Sequence, residues 1–282
     1  MFLRNSLVRL DKQSLGLFHT RERARLKADV LIASDGPRLS AQRPTIYLGT
    51  RGALNMDFTV ELREGAHHSG NWGGLLSSPA IQLVHALSTI TDAKGCILVP
   101  ELRPDRISNS VRAALADCKI ETAPGDPEID PAWGEPGLSL AEKVFGWCAF
   151  EILAMTSGVP ESPVNAIPPR AWARTQVRFV VGVDPKGFVP ALRRHLDKHG
   201  FPMVQVASAP GDEIMHATRL DPDHPWVKWS VASIAKTTGA PPAILPNLGG
   251  SLPNDIFADV LGLPTVWVPH SYPGCSQHAP NE

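Results

Sequence analysis

Along residues 54–63 the chain alternates: Leu54, Met56, Phe58, Val60 and Leu62 are apolar, and Asn55, Asp57, Thr59, Glu61 and Arg63 are polar. A period of two predicts a strand with one buried and one solvated face. The same period returns over residues 171–183, where Ala173, Thr175, Val177 and Phe179 oppose Trp172, Arg174, Gln176 and Arg178. Between them Ala80, Leu83, Val84 and Leu87 recur at helical spacing, with Ser78 placed as N-cap and Pro79 at the first helical position. Residues 190–200 predict a second helix closed by Gly200, residues 96–100 and 203–207 short strands, and residues 138–155 a helix carrying Trp147 and Phe150. Strand 54–63, helix 79–89, strand 96–100, strand 172–182, helix 189–199 and strand 203–207 spell β-α-β-β-α-β, a ferredoxin-like split unit.

The two ends of the chain follow a different pattern. Residues 1–27 predict a charged amphipathic helix, residues 30–33 a short apolar strand ending at Ser34, Asp35 and Gly36, and residues 44–52 a strand with a glycine break. A helix is expected at 107–118, followed by a loop rich in proline and acidic residues. Beyond Pro210 come helix 224–238, an apolar position at Ile244, the turn Gly249-Gly250-Ser251, a helix at 255–261 and the apolar strand 265–268. Alternating helices and strands predict a parallel α/β layer. The expected class is therefore α/β: one domain built from residues 1–49 and 216–282, with a ferredoxin-like domain inserted at 50–215.

With 282 residues, 43% of them hydrophobic, the chain can bury sizeable cores. A formal charge of −1 supplies no basic face for nucleic acid and favours a small substrate. No apolar run approaches the roughly 20 residues that cross a bilayer, and Arg4, Arg9 and Asp11 interrupt any leader core, so a cytoplasmic protein without membrane partners is expected. Cys96, Cys118, Cys148 and Cys275 form no CxxC pair and read as small packing residues.

Candidate chemistry gathers in two loops. Residues 63–79, REGAHHSGNWGGLLSSP, carry His67, His68 and Ser69 among Gly70, Gly73 and Gly74, and the glycines allow another surface to approach closely. The closing stretch HSYPGCSQHAPNE follows strand 265–268 and sets His270, His278 and Glu282 on a loop at the sheet's rim. Histidine nitrogens and carboxylate oxygens suit zinc, and a loop histidine also suits plain exposure. Asp35 stands at the carboxyl end of a buried strand, where open α/β sheets place ligands, and also suits a turn or helix cap. Arg178 reads equally as a strand-face ion-pair partner, and His67 as a solvated neighbour.

HSGNWGG resembles the H-S-G-x-aromatic-G-G element that opens the dimerisation domain in the metal-dependent exopeptidase family of carnosinases, aminoacylases and succinyl-diaminopimelate desuccinylases. ADVLIASDG, VNAIPPRAWARTQVRF, GGSLP and the closing H-x-P-N-E resemble four further elements of that family, in the same order across residues 29–282. The resemblance implies a di-metal dipeptidase-like hydrolase in which zinc, with manganese or cobalt as alternatives, activates the water that attacks the peptide carbonyl. It implies Asp35 and His278 as metal ligands, and His68 as the catalytic group reaching a partner subunit's site to stabilise the oxyanion. Arg178 and Ser251 would grip the substrate's terminal carboxylate, with Asn165 beside the site. A homodimer follows, and the substrate is a small peptide or an N-acyl amino acid. The family's upstream His-x-Asp, bridging aspartate and Glu-Glu pair have no counterpart in the 34 residues before Asp35, its motif normally continues past the position of Glu282, and PGCSQ replaces its D-D-G-A. A catalytically incomplete fragment is therefore expected. An N-acyl amino acid amidase and a non-catalytic dimerisation module are the competing readings.

Overall fold

The computed structural model describes residues 12–120 and 127–272; Cys275, His278 and Glu282 lie outside them. In chain order the described residues form α1 (Lys12–Arg21), β1 (Leu31–Ala33), β2 (Thr45–Tyr47), β3 (Gly49–Thr50), β4 (Gly52–Glu61), β5 (His67–His68), α2 (Ser69–Trp72), α3 (Pro79–Leu87), α4 (Asn109–Leu115) and α5 (Leu140–Phe145). There follow β6 (Ala149–Ser157), β7 (Ala166–Ile167), β8 (Arg170–Phe179), α6 (Phe188–Lys198), β9 (Val204–Ser208), β10 (Thr218–Arg219), α7 (Pro225–Thr238), β11 (Ala243–Leu245) and β12 (Thr265–Trp267), with a π-helical turn at Ile256–Val260. They divide into two compact units, one holding residues 12–51, 113–120 and 215–272, the other residues 52–112 and 127–214.

The second unit is built on the alternating segments. β4 and β8 pair antiparallel along their whole length, from Gly52 opposite Phe179 to Glu61 opposite Arg170. Leu54, Met56, Phe58 and Val60 share one buried face with Ala171, Ala173, Val177 and Phe179, against which α3 packs, while α6 packs on β9 and sets Phe188 edge-to-face with Phe179, ring centroids 5.3 Å apart. The sheet runs β6-β8-β4-β9, the order of a ferredoxin-like β-α-β-β-α-β unit.

The second strand of that unit differs from the expectation. Residues 96–100 form no strand: Ile97 makes an isolated bridge to Thr91, and Pro100 enters a 3-10 turn. Ile97 and Val99 are buried, which gives the segment its strand-like look. The strand is instead β6, inside the segment expected to be helical. The helix is confined to α5, opened by a capping box in which Glu142 N donates to Ser139 Oγ (3.2 Å) and Ser139 N donates to Glu142 Oε2 (2.8 Å), and ended at Gly146. Ala149, Glu151, Leu153, Ala154 and Met155 are good helix formers, but pairing with β8 outweighs that local preference. A register shift between Ile152 and Ala154 also interrupts the alternation that would have marked the strand.

In the first unit the sheet runs β1-β12-β2-β11. β1 with β12 and β2 with β11 are parallel, whereas β12 meets β2 antiparallel at Trp267 and Tyr47, so the layer is mixed rather than wholly parallel. Ile46, Leu48, Val227 and Val266 form its core under α7, which ends in a left-handed Gly239 at φ +80°. The expected N-terminal helix is α1, ending at Arg21, and the expected helix at 255–261 is the π-turn. Among the described residues no helix is long and apolar enough to cross a membrane.

Phe58 is fully buried and meets Phe150 edge-to-face, with ring centroids 6.4 Å apart. Phe58→Ala should lower unfolding free energy by about 3–5 kcal/mol, read from urea midpoints. Glu61→Ala, at the solvated end of the same strand, should change it by less than about 0.5 kcal/mol.

Candidate functional site

In the first unit, Ala33 of β1 lies opposite Trp267 of β12, so the two parallel strands end at one rim. Beyond it the emerging segments are laced together. Val268 N donates to Ala33 O (2.8 Å), Arg38 N to Ser271 O (2.8 Å), and the Ser271 hydroxyl to Gly36 O (3.2 Å). Ser34 Oγ stands 3.3 Å from His270 Nδ1, although 236 positions separate them. Asp35 is exposed at this rim, its Oδ1 accepting from Gly36 N (2.7 Å). Gly36 has φ +77°, and a Cβ there would lie 3.0 Å from Leu248 Cδ1, so both backbone and neighbour call for glycine. The segment bearing Asp35 thus runs beside the segment that leads toward His278. His278 itself is outside the described residues.

Ser251 lies in the expected glycine turn. Its hydroxyl donates to Arg51 O (2.6 Å), and Arg51 Nε donates to Gly249 O (2.8 Å), which ties the turn to the end of β3. Asn254, which no sequence motif marks, is 0% exposed. Its Nδ2 donates to Thr218 Oγ1 (2.8 Å) and Thr265 Oγ1 (3.0 Å), and its Oδ1 accepts from Trp267 Nε1 (2.9 Å). An asparagine after Pro253 looks like any turn residue in a sequence, so only the fold reveals a junction of three elements.

In the second unit, β5 and β7 form a two-stranded ribbon with His67 opposite Ile167 and His68 opposite Ala166. Asn165 O accepts from both Ser69 N (2.9 Å) and Ser69 Oγ (3.1 Å), which brings Asn165 to the histidine loop. His68 caps α2: its Nδ1 accepts from Gly70 N (3.1 Å). With Nδ1 held as an acceptor, the neutral imidazole carries its proton on Nε2 and offers a donor there. A Cβ on Gly70 would stand 2.9 Å from His68 Cε1 and 3.1 Å from Nδ1, so the glycine leaves room for the ring. His67 meets Trp72 edge-on, ring centroids 6.0 Å apart.

Arg178 lies on the face of β8 opposite the core, half-buried, and burial pulls its guanidinium pKa below the usual value. The structure does not gather it with His68 and Asn165. It stands eight residues from Arg170, the end of β8 that follows the ribbon, a span of about 26 Å along an extended strand. Around it the polar face is ordered. Arg178 Nε donates to Gln176 Oε1 (2.7 Å), Gln176 Nε2 to Asn55 Oδ1 (2.8 Å), and Asn55 Nδ2 to Asp212 Oδ2 (3.0 Å). Beside this chain Arg174 grips Asp57 through two bonds, Nε to Oδ1 (2.7 Å) and Nη2 to Oδ2 (3.0 Å), with its guanidinium 5.6 Å from the centre of the Trp172 ring. The Arg174 hydrogen bond chiefly holds the Asp57 pKa below the usual carboxylate value. The signal for these partners was present in the alternation, but it required the register that sets Asn55 opposite Gln176 and Asp57 opposite Arg174.

Residues 48–204, more than half of the chain, match the M20 peptidase dimerisation domain. The chain is similar to Beta-Ala-His dipeptidase of Rattus norvegicus, 26% identical over 176 residues, covering 60% of this chain and 35% of the relative. It is similar to Cys-Gly metallodipeptidase of Candida albicans, 24% identical, covering 91% of this chain and 54% of the relative. Among solved structures, an M20 family metallo-carboxypeptidase from Sulfolobus solfataricus aligns with TM-score 0.75 and 23% identity, over 95% of this chain and 62% of that one. Human carnosine dipeptidase 1 aligns with TM-score 0.72 and 19% identity, over 98% of this chain and 60% of that one. These alignments show a shared fold. The chain spans about a third to about half of the length of the two curated relatives.

Two outcomes follow. Long-range proton–nitrogen correlation spectra should show His68 as the Nε2–H tautomer when neutral, and Gly70→Ala should shift both ring nitrogens. Asp57, whose pKa is lowered on folding, contributes stability that is fully present above its unfolded pKa of about 4 and is lost as pH falls through its lower folded value. Asp57→Asn should therefore cost about 1 kcal/mol at pH 7 and flatten the acid limb of the stability profile.

Proposed function

The chain belongs to the M20 peptidase dimerisation-domain family, and we propose that it serves a divalent-metal dipeptidase that cleaves dipeptides or short peptides ending in a free carboxylate. Residues 50–215 are assigned to the dimerisation domain, and residues 1–49 and 216–282 to the catalytic domain around it. Arg178 and Ser251 take the substrate's carboxylate, an arginine fork being suited to such a group. Asn165 flanks the site, and His68 presents its Nε2 proton to the oxyanion that forms when the carbonyl is attacked.

The observation that supports this reading is the placement of His68 on the β5–β7 ribbon and of Arg178 at the far end of β8, eight residues beyond Arg170. In this proposal each copy lends His68 to its neighbour and keeps Arg178 for itself. The sheet offers a place for the neighbour. β6 is an edge strand with Ile152, Leu153 and Met155 exposed at 47%, 53% and 49%, and α3 exposes Ile81 and Val84. Bare apolar edges of this kind favour pairing with another chain.

Zinc is the proposed ion, with manganese or cobalt as alternatives, and Asp35 and His278 are the proposed ligands. Among the described residues no three His, Cys, Asp or Glu side chains gather to hold a metal, so the described part does not assemble the site by itself. A competing reading is that the chain acts as a dimerisation module without catalysis.

The test is hydrolysis by the full-length polypeptide of a panel holding β-alanyl-histidine, cysteinyl-glycine, their C-terminal amides and N-acetyl amino acids. The expected result is release of free amino acid that stops on chelation and returns with zinc, with amides spared. Preference for the N-acetyl amino acids would reassign it as an amidase, and no metal-dependent hydrolysis of any member would leave the non-catalytic reading. His68→Ala and Arg178→Ala should each abolish turnover, and co-expressing the two variants should restore part of it if sites are shared between copies. Leu153→Lys should shift the particle from dimer to monomer in sedimentation.

A further inference from the structure

Where the chain turns from β6 into β8, Pro160, Pro163, Pro168 and Pro169 gather with Trp172 around a pocket of about 630 Å³, a volume within the range of small-molecule sites. Each proline ring fixes its own φ, and the walls are braced from outside. Ser157 Oγ donates to Arg170 O (2.9 Å), Leu62 N to Pro169 O (3.1 Å) and Arg63 Nη1 to Pro168 O (3.4 Å). Gly158 has φ +71°, and a Cβ there would meet Pro168 Cγ at 3.4 Å, so the turn closes tightly against the wall. The pocket is thus formed before any ligand arrives, and filling it costs little ordering of the chain.

Its position limits what can enter. Ala166 lines the pocket and stands directly opposite His68 in the β5–β7 ribbon. Residues so opposed put their side chains on the same face, with Cβ atoms about 5 Å apart, so a wall of the pocket adjoins the group assigned to the oxyanion. In a dipeptide the attacked carbonyl belongs to the N-terminal residue, whose side chain branches from the neighbouring carbon. That side chain is therefore the part of the substrate brought to the pocket. Val159 and Val164, exposed at 59% and 71%, extend the apolar lining toward solvent. Arg170 is the charged residue among those that line it, and no carboxylate is among them. A cationic side chain would meet a like charge there, whereas proline rings and an indole suit an aromatic ring. We propose that this pocket is a specificity subsite that takes an aromatic or bulky apolar side chain from the N-terminal residue of the substrate, beside His68. The proposal rests on the dipeptidase reading. Since each copy lends His68 to its neighbour in that reading, the pocket travels with it, and the group that meets the oxyanion and the wall that selects the side chain reach the neighbour's substrate together.

Hydrolysis of phenylalanyl-glycine, glycyl-glycine and lysyl-glycine by the full-length polypeptide with zinc tests this. Phenylalanyl-glycine is expected to show a kcat/KM about tenfold or more above that of glycyl-glycine, the scale of discrimination that an apolar pocket supplies. Lysyl-glycine should fall well below phenylalanyl-glycine. Val164→Asp, at an exposed position, should lower kcat/KM for phenylalanyl-glycine about tenfold, raise it for lysyl-glycine and leave glycyl-glycine unchanged. Val159→Asp should act in the same direction. A gain on lysyl-glycine cannot come from loss of fold, and urea midpoints of the three proteins check the fold directly. Equal turnover of phenylalanyl-glycine and glycyl-glycine, or a preference that both variants leave intact, overturns the subsite while the dipeptidase reading stands. Variants that slow all three dipeptides alike show these residues supporting the histidine loop, and they too overturn selection by the pocket. No metal-dependent cleavage of these dipeptides, of β-alanyl-histidine or of cysteinyl-glycine overturns the dipeptidase reading, and the subsite with it.

Discussion

The register between β4 and β8 decides most of what the second unit can do. Side chains alternate faces along a strand, so sliding one strand past the other by a single residue would send Arg174 and Arg178 into the core and bring Val177 and Phe179 out to water. The burial of Met56, Phe58, Ala173 and Phe179 therefore places the polar ladder as firmly as it builds the core. Hydrophobic burial at about 25 cal/mol per Å² and the ordering of the arginines come from one pairing. That is why Asn55 meets Gln176, and Asp57 meets Arg174, without any dedicated loop to guide them.

The first unit solves a different problem, since residues near the two termini of the described chain must meet. Parallel pairing of β1 with β12 carries both strand ends to one rim, and the lacing of residues 33–38 with residues 268–271 keeps the emerging segments together. The Tyr47 hydroxyl donates to Pro37 O within the same cluster, and burial raises its pKa, so the phenol stays protonated and keeps that bond. Asn254 performs the matching service beneath the rim by joining β10, β12 and the turn that holds Ser251.

Much of this was legible in the sequence because it rests on periodicity. The alternation of residues 54–63 and 171–183 marked β4 and β8, and Pro79 and Gly200 bracketed α3 and α6 closely. β6 was misread because its alanines, glutamate, leucine and methionine favour a helix and its register break erases the period of two. Residues 96–100 misled in the opposite way, since burial of Ile97 and Val99 gives a strand-like apolar pattern to a segment that only bridges. The antiparallel contact of β12 with β2 depends on which strands become neighbours, and no local pattern encodes that. The site residues were visible as motifs, whereas Asn55, Gln176, Asp212 and Asn254 acquire meaning only through partners more than ten residues away.

The break in β6 has a bearing on the crowded conditions in which such chains are made. An uninterrupted apolar edge would template any passing strand and let ladders grow without end. With the frame shifted between Ile152 and Ala154, a foreign strand of regular pitch falls out of step halfway along. The irregularity blunts the edge and so discourages fibrous growth during synthesis.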